Sequence, residues 1–448
     1  MNKVIIVQGG QYGSEAKGQI AGVICEREWV NIAVRTGATN AGHTYYVRGE
    51  AVKFQQLPVA AAIPGIQIVL GAGSLIDPHI LDAEVQLASR LAGDDVRARL
   101  VVDPRAALHL PAHAERSAIS GRHVAIGATG KGCSEALIDR IKGRSDKSYV
   151  LFGLFGKSPF THDYNIADTE ALLNQRFDEG AKILLEGTQG QGLDLYLGPY
   201  PYTTHKQCGP GQWMLECGLS PALPTDIVMV VRTYPIRVAG NSGPMTHEMS
   251  WPMMANIINN ERKERDLPPI VNMAAVYEFE MAVKANAHKF ALPVGSDGLD
   301  QHMWRESDRV LFRQALSDLN KVAMEQIGLP ALAELKKLFE FTTVTKKLRR
   351  IAALDYKQLG DSGRQIRPHR LAITFMNYEF PMWWYKLPNG DYEHIAHYAY
   401  DVAMSCGVNP TRPIMLGWGP ESRHVQTVDI ASPPGRVAVD GWRDAAGR

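Results

Sequence analysis

The sequence predicts an α/β protein with a mainly parallel central sheet flanked by helices. Two observations carry this. Apolar runs of strand length recur along the 448 residues: KVIIVQ, NIAVR, IQIVLGAG, ARLVVD, AKILLEG, IVMVVRTYPIRV, RLAITFMN and PIMLGWG. Several are apolar almost throughout rather than alternating, as strands covered on both faces are. Between them lie helix-period stretches such as GQIAGVICERE, PHILDAEVQLASRLA and TEALLNQRFDEG. Regular alternation of strand and helix is the pattern of a parallel sheet.

The stretch 251–341 departs from this rhythm. It is rich in charge and methionine and carries long helical patterns, SDRVLFRQALSDLNKVAMEQI and PALAELKKLFEF. It reads as a helical insertion between a nucleotide-binding core, 1–250, and a continuation of that core, 342–430. The end, ASPPGRVAVDGWRDAAGR (431–448), reads as a mobile surface tail.

Bulk composition narrows the function classes. Hydrophobic content of 45% and charged content of 21% are those of an ordinary globular protein. A net charge of +1 gives no basic field for nucleic acid. No apolar run reaches the ~18 residues of a membrane-spanning helix. The start, MNKVIIVQGG, turns glycine-rich too soon for a signal peptide and reads as the first strand. Five scattered cysteines without a CxxC pair suggest free thiols in a reducing cytoplasm.

The first strand runs into GGQYGSEAKGQ. Gly9, Gly10 and Gly13 let backbone N–H groups approach an anion, Lys17 supplies a point charge, and Gly18 opens a helix whose N-terminus favours phosphate. The order is Lys-Gly, not the Gly-Lys-Ser/Thr of a Walker loop. Alone, the loop reads equally well as a glycine-rich turn with no ligand. The next motif, RTGATNAGHTYYV, sets Asn40, Gly42, His43 and Thr44 after a second strand. A lone loop histidine is more often structural. This one sits beside an amide, glycines and a hydroxyl, which suits a polar ring and a transferring phosphoryl group.

These motifs resemble the adenylosuccinate synthetase family, whose members carry Q-W-G-D-E-G-K-G-K followed by N-A-G-H-T. The likeness continues in order along the chain: IGATGKG (Ile126–Gly132), EGTQGQGLDLYLGPYPYTT (Glu186–Thr204), IRVAGNSGP, TKKLRRIAALD (Thr345–Asp355) and GWGP. The resemblance implies a C–N ligase. A nucleoside triphosphate, with Mg²⁺, phosphorylates O6 of a 6-oxopurine nucleotide, and the amine of L-aspartate then displaces that phosphate. It also implies a homodimer. By resemblance, Lys17 lies at the transferring phosphate, His43 is the acid at O6, and the Gly42 carbonyl is a magnesium ligand. Gly13, Glu15, Gly18, Asn40, Thr129, Gln189 and Thr204 hold nucleotide, and Arg144 lies near the arginine that reaches the other subunit's phosphate. Asn377, Gly417, Gly419 and Pro420 fall at the donor-base site, and Val238, Thr345, Lys347 and Arg349 at the aspartate site. Thr129 and Thr204 also read as caps. Arg349 and Arg350 also read as a solvated basic pair, and Arg350 is expected to be only that.

Four positions depart from the family pattern. Ser14 stands at the catalytic aspartate, which takes the proton from purine N1; a hydroxyl does that poorly at neutral pH. Phe375 and Asn377, in TFMN, stand where Lys and Asp read guanine on the donor, so adenine becomes acceptable there. Ala16 and Gln19 replace Gly and Lys, which removes a charge near the phosphates. Lys347 replaces an arginine and forfeits a bidentate grip on a carboxylate. Ser14 together with the altered base motif resembles the phage 2-aminoadenylosuccinate synthetases, which act on dGMP with an adenine nucleotide as donor. The small Ser14 leaves room for the 2-amino group of guanine, and the substrate aspartate's own carboxylate is then a candidate base. Two other readings stand beside it: an adenylosuccinate synthetase acting on IMP with GTP, and a catalytically inactive nucleotide-binding homologue.

Overall fold

A computed structural model describes residues 2–121, 125–143, 164–290, 306–341, 347–380 and 391–430. Arg144, Thr345 and the 431–448 tail lie outside them. The centre is a ten-stranded sheet. Its strands, numbered within the sheet, are β1 (Val4–Gly9), β2 (Ile32–Arg35), β3 (Gln67–Leu70), β4 (Leu100–Val102), β5 (Asn165–Ile166), β6 (Ile183–Gly190), β7 (Thr225–Arg232), β8 (Arg370–Thr374), β9 (Ile414–Gly417) and β10 (Val425–Val428). Their spatial order is β10-β9-β8-β7-β1-β6-β2-β3-β4-β5. Every neighbouring pair is parallel except β9 and β10. Each of the eight apolar runs in the sequence supplies one strand. The edge strands β5 and β10 are additional.

Strand β1 is buried along its whole length because both its faces are covered. Side chains alternate between them. Ile5 and Val7 join a core with Ile20, Ile24 and Leu81 on one side, while Val4 and Ile6 join Trp213, Leu173 and Leu359 on the other. Each such large apolar side chain contributes about 1.5–3 kcal/mol on burial. The first helix, Lys17–Arg27, lies in this layer with Lys17 through Cys25 buried, so its sequence shows little polar stripe. The helix Pro78–Ala92 is capped at both ends: Asp77 accepts from the N–H groups of His79 and Ile80, and Gly93 closes it at φ 73°.

A second core forms among the helices Trp251–Lys263, Met273–Asn286, Glu306–Gln326 and Leu329–Leu335. Trp251 stacks on Phe339 at 5.7 Å, and Phe279 meets Phe339 edge-on at 5.7 Å. This layer leans on a small antiparallel sheet of Ile236–Arg237, Arg350–Ala352 and Glu248–Met249. Trp251 donates to the Arg349 carbonyl at 2.7 Å, which ties the helices to the segment expected to hold aspartate. The five cysteines are free and buried. Among the described residues no helix is long and apolar enough to cross a membrane.

Candidate active site

The strands β1, β6, β8 and β9 end at a cavity of about 1650 Å³. The carboxyl ends of parallel strands are where α/β sheets open a crevice for ligands. Gly13, Ser14, Glu15, Lys17 and Gly18 line it, as do Asn40, Gly42 and His43. Thr129, Gln189, Thr204, Val238, Lys347 and Arg349 also line it, with Asn377, Gly419 and Pro420. Gly417 is the exception: it ends β9 inside the sheet and is not among the lining residues.

The first loop is built around its own buried carboxylate. Ser14 and Ala16 both sit at φ 61°, a left-handed conformation that costs a non-glycine residue on the order of 1 kcal/mol or more. That curl brings the Gly13 N–H to Glu15 Oε1 at 2.7 Å and the Gln11 N–H to the same oxygen at 3.2 Å. Glu15 Oε2 takes Lys17 Nζ at 2.6 Å. Burial alone would raise the Glu15 carboxyl; the Lys17 cation and the backbone donors outweigh it and hold the group below its ordinary value. A side chain on Gly9 would meet Glu15 Oε2 at 2.8 Å and Lys17 Nζ at 2.9 Å, so only glycine admits this pair. Ala16 caps the helix without a side-chain acceptor, which leaves the first-turn N–H groups available to an anion.

His43 corrects its expected setting. It lies not in a loop but at the first position of a strand, His43–Val47, paired in a hairpin with Glu50–Phe54. The β-prone TYYV run extends the strand back to the histidine. Gly18 seats it: a side chain there would come within 2.8 Å of His43 Cβ. His43 Nδ1 meets Glu186 Oε1 at 2.5 Å. Arg35 Nη1 holds the same oxygen at 2.9 Å, and the Val59 N–H holds Oε2 at 2.9 Å. Burial, with the Arg35 cation adding to it, pulls the imidazole down to about 4 against the opposing pull of Glu186. At neutral pH His43 is therefore an uncharged ring. Its Nδ1–H is assigned to the Glu186 carboxylate, and Nε2 is left as the working nitrogen.

Ser14 is held by two arginines. Its hydroxyl accepts from Arg349 Nη1 at 2.5 Å, and its carbonyl accepts from Arg232 Nη1 at 3.2 Å. Arg232 is buried, pairs with Glu340 at 2.5 Å, and stacks 3.8 Å from the centroid of Phe375. Tyr378 donates to Glu340 at 3.1 Å. Arg350, by contrast, is not among the lining residues; it chelates Glu248 at 2.5 and 2.6 Å with its side chain only 9% exposed, an internal ion pair rather than the solvated basic residue expected. Gln19 keeps no charge near the phosphates; its amide donates to backbone carbonyls of Gly419 and Glu421. Asn40, on the cavity lining, has its Oδ1 buried without a protein partner among the described residues.

Sequence reasoning missed Glu186, Arg35, Arg232 and Glu340. Glu186 sits in the quoted EGTQG motif, and a carboxylate inside an apolar strand was the available signal. Its partner lies 143 positions away, so no local pattern could name it.

The family model for adenylosuccinate synthetase matches residues 6–154 and 160–378. The chain belongs to the adenylosuccinate synthetase family. The adenylosuccinate synthetase of Methanocaldococcus jannaschii is 31% identical over 319 residues, 67% of this chain and 85% of the relative. That of Pyrococcus sp. (strain ST700) is 34% identical over 247 residues, 55% and 69% of the two chains. Among solved structures, the cyanophage S-2L succinoaminodeoxyadenylate synthetase, bound to dGMP and dATP as an energy donor, superposes with a TM-score of 0.65 at 23% identity, over 96% of this chain and 97% of that one. The fully ligated adenylosuccinate synthetase of Plasmodium falciparum gives 0.60 at 16% identity, over 95% and 99%. At such identities the structural likeness speaks for the fold. The chain is an adenylosuccinate-synthetase-type C–N ligase with a nucleoside triphosphate donor.

Proposed function

We propose that this ligase joins L-aspartate to a guanine nucleotide, GMP or dGMP, using ATP, and releases the 2-amino-adenylosuccinate nucleotide. The observation that carries this reading is residue 14. A serine held by Arg349 stands at the loop's apex. Among the described residues the carboxylates lining the cavity are Glu15 and Glu340, and both are ion-paired. Among the described residues, no unpaired carboxylate lines the cavity to crowd a 2-amino group beside N1.

In the first step the γ-phosphoryl group passes to O6: an O–P bond to the purine forms, the bond to the donor breaks, and the N1 proton leaves. Lys17 and the first-turn N–H groups face the phosphates. His43 Nε2 faces O6; the ring, uncharged in the empty site, serves as the acid there by taking up a proton as negative charge develops on O6, and Glu186 fixes it through Nδ1. In the second step the aspartate amine attacks C6, the C–N bond forms, and phosphate departs with the C–O bond. Phosphate is a far better leaving group than oxide. Val238, Lys347 and Arg349 hold the amino acid. The Arg349 that touches Ser14 is placed to bring the aspartate carboxylate next to N1, where it can take the proton. Phe375 and Asn377 offer a stacking ring and a donor–acceptor amide to the donor base, which suits adenine.

A magnesium ion would be held chiefly by phosphate oxygens and water, as Mg²⁺ usually is, and the Gly42 carbonyl, on the cavity lining, would be its protein ligand by resemblance. Such an ion would neutralise charge on the transferring phosphates. A homodimer belongs to the same reading and is supported by the exposed side chains of Tyr196, Leu197 and Tyr200.

A second reading, IMP with GTP, is favoured by the 31% identity to the Methanocaldococcus enzyme across 85% of its length. A substrate panel separates the two. Purified protein with Mg²⁺, L-aspartate and ATP or GTP is offered dGMP, GMP, IMP and dIMP, and products are read by mass spectrometry. Succinylated product from dGMP or GMP with ATP is expected. Product from IMP with GTP alone overturns the proposal.

A further inference from the structure

The donor end of the cavity is closed by Trp418, Gly419 and Pro420. This segment is fastened to the first helix by side-chain donors. Gln19 Nε2 donates to the Gly419 carbonyl at 2.5 Å and to the Glu421 carbonyl at 3.1 Å. Two helical turns further on, Arg27 Nη2 donates to the Ser422 carbonyl at 2.9 Å and the Val425 carbonyl at 2.7 Å. Thr374 Oγ1 does the same for the other donor-side segment, donating to the Glu15 carbonyl at 3.0 Å. The helix that presents Lys17 thus also fixes the wall of the donor site. Gln19 is the inner fastening, 6% exposed and two residues after Lys17.

We infer that Gln19 is a positioning residue for the triphosphate donor, setting the span between the phosphate loop and the Trp418–Pro420 wall. The inference rests on reading that wall as the donor-purine side. The physical argument is preorganisation. A loop already held in its binding conformation does not lose that freedom when the ligand arrives, so affinity rises without a new ligand contact. The amide is neutral and spends both its N–H donors on backbone carbonyls, so its effect is geometric rather than electrostatic. Its removal weakens the nucleotide that spans helix and wall. The monophosphate and aspartate, held by Asn40, Thr129, Lys347 and Arg349, are unaffected.

The test uses the full chain with Gln19→Met, which keeps the side-chain length and removes the donor, and Gln19→Lys, which keeps a donor. The readouts are the dissociation constant for ATP by calorimetry, the KM of each of the three substrates, and the thermal midpoint. Gln19→Met is expected to weaken ATP about fivefold or more, the loss of roughly one net hydrogen bond. The KM values for monophosphate and aspartate stay within about twofold of the wild type. Gln19→Lys recovers most of the ATP affinity with a salt dependence no steeper than that of the wild type, which excludes a gain from the added charge. Gln19→Asn, whose amide is one methylene short of the carbonyls, carries the test if the Met variant does not fold, with the same selective loss of ATP expected. Equal weakening of all three substrates, a lowered thermal midpoint with ATP affinity unchanged, or wild-type behaviour throughout overturns the inference. ATP affinity is measured without turnover, so an enzyme that binds ATP but fails the substrate panel sinks the functional reading and leaves this one decided on its own terms.

Discussion

Arg349 donates to the hydroxyl of Ser14 at 2.5 Å, joining two segments 335 positions apart in the chain. The contact places the residue that departs most sharply from the family pattern under the control of the expected aspartate loop. Ser14→Asp converts it to an ion pair and returns a carboxylate to the apex of the first loop. Aspartate tolerates the left-handed φ of that position better than most residues. The variant is expected to gain turnover with IMP and to lose turnover with dGMP and GMP by about tenfold or more. The same panel read by mass spectrometry checks it, and an unchanged purine preference would show that residue 14 does not select the ring.

The pair His43–Glu186 makes a kinetic prediction. Removing the ring in His43→Ala is expected to lower kcat by about 10²–10⁴-fold with little change in the KM of the donor. Glu186→Gln keeps the shape but replaces the anion, and its loss is expected to fall between that of His43→Ala and the wild type. Steady-state kinetics on both decides. A Glu186→Gln enzyme as active as the wild type would mean that the carboxylate serves Arg35 alone.

Acid sensitivity follows from the same histidine. Its folded value near 4 lies below the ordinary 6.5. Between these values the unfolded chain binds a proton that the folded one refuses, so stability rises with pH across the window. Above about 6.5 neither state is charged and nothing is lost. As pH falls toward 4 the cost approaches on the order of 3 kcal/mol. The urea midpoint is expected to drop between pH 7.5 and 4.5, and His43→Asn to flatten that drop. An identical slope in the variant would assign the acid sensitivity to other groups.

Glu15 and Lys17 form a buried ion pair, with side chains 0% and 2% exposed. Breaking one member of such a pair leaves an uncompensated charge. Glu15→Ala is expected to destabilise the protein by about 3–5 kcal/mol, seen as a lower denaturant midpoint, as well as to abolish turnover. A variant that keeps its midpoint would show that Lys17 finds solvent or another acceptor.

Asn377 carries the prediction on the donor base. Asn377→Asp supplies an acceptor to guanine N1–H and the 2-amino group and removes the donor that adenine uses. The ratio of kcat/KM for GTP over ATP is expected to rise by about tenfold or more. A ratio that does not move would place donor selection elsewhere on the wall.

Much of this fold was written locally. KVIIVQ, NIAVR and AKILLEG are apolar almost throughout because both faces of their strands are covered, and that is a signal one strand carries alone. Asn165–Ile166 carries no such signal: two residues at a sheet edge are too few for a period. Val425–Val428 is fully buried only at Val425 and needs its antiparallel partner to be a strand at all. The site divides the same way. Lys17, Asn40 and His43 lie in compact motifs whose spacing points to phosphate. Glu186 and Glu340 become functional only when folding brings them to His43 and Arg232. Gln19 read as a charge lost, because the carbonyls that use its amide lie some 400 positions away.

The buried thiols have a practical meaning. Cys133 borders the cavity, and burial pushes its thiol up to about 11. Cys208, Cys217 and Cys406 are sealed in the core beneath the sheet. An alkylating reagent therefore meets almost no thiolate on the intact protein. Modification of the deep cysteines clocks unfolding events. The enzyme carries an internal gauge of its own opening that requires no added label.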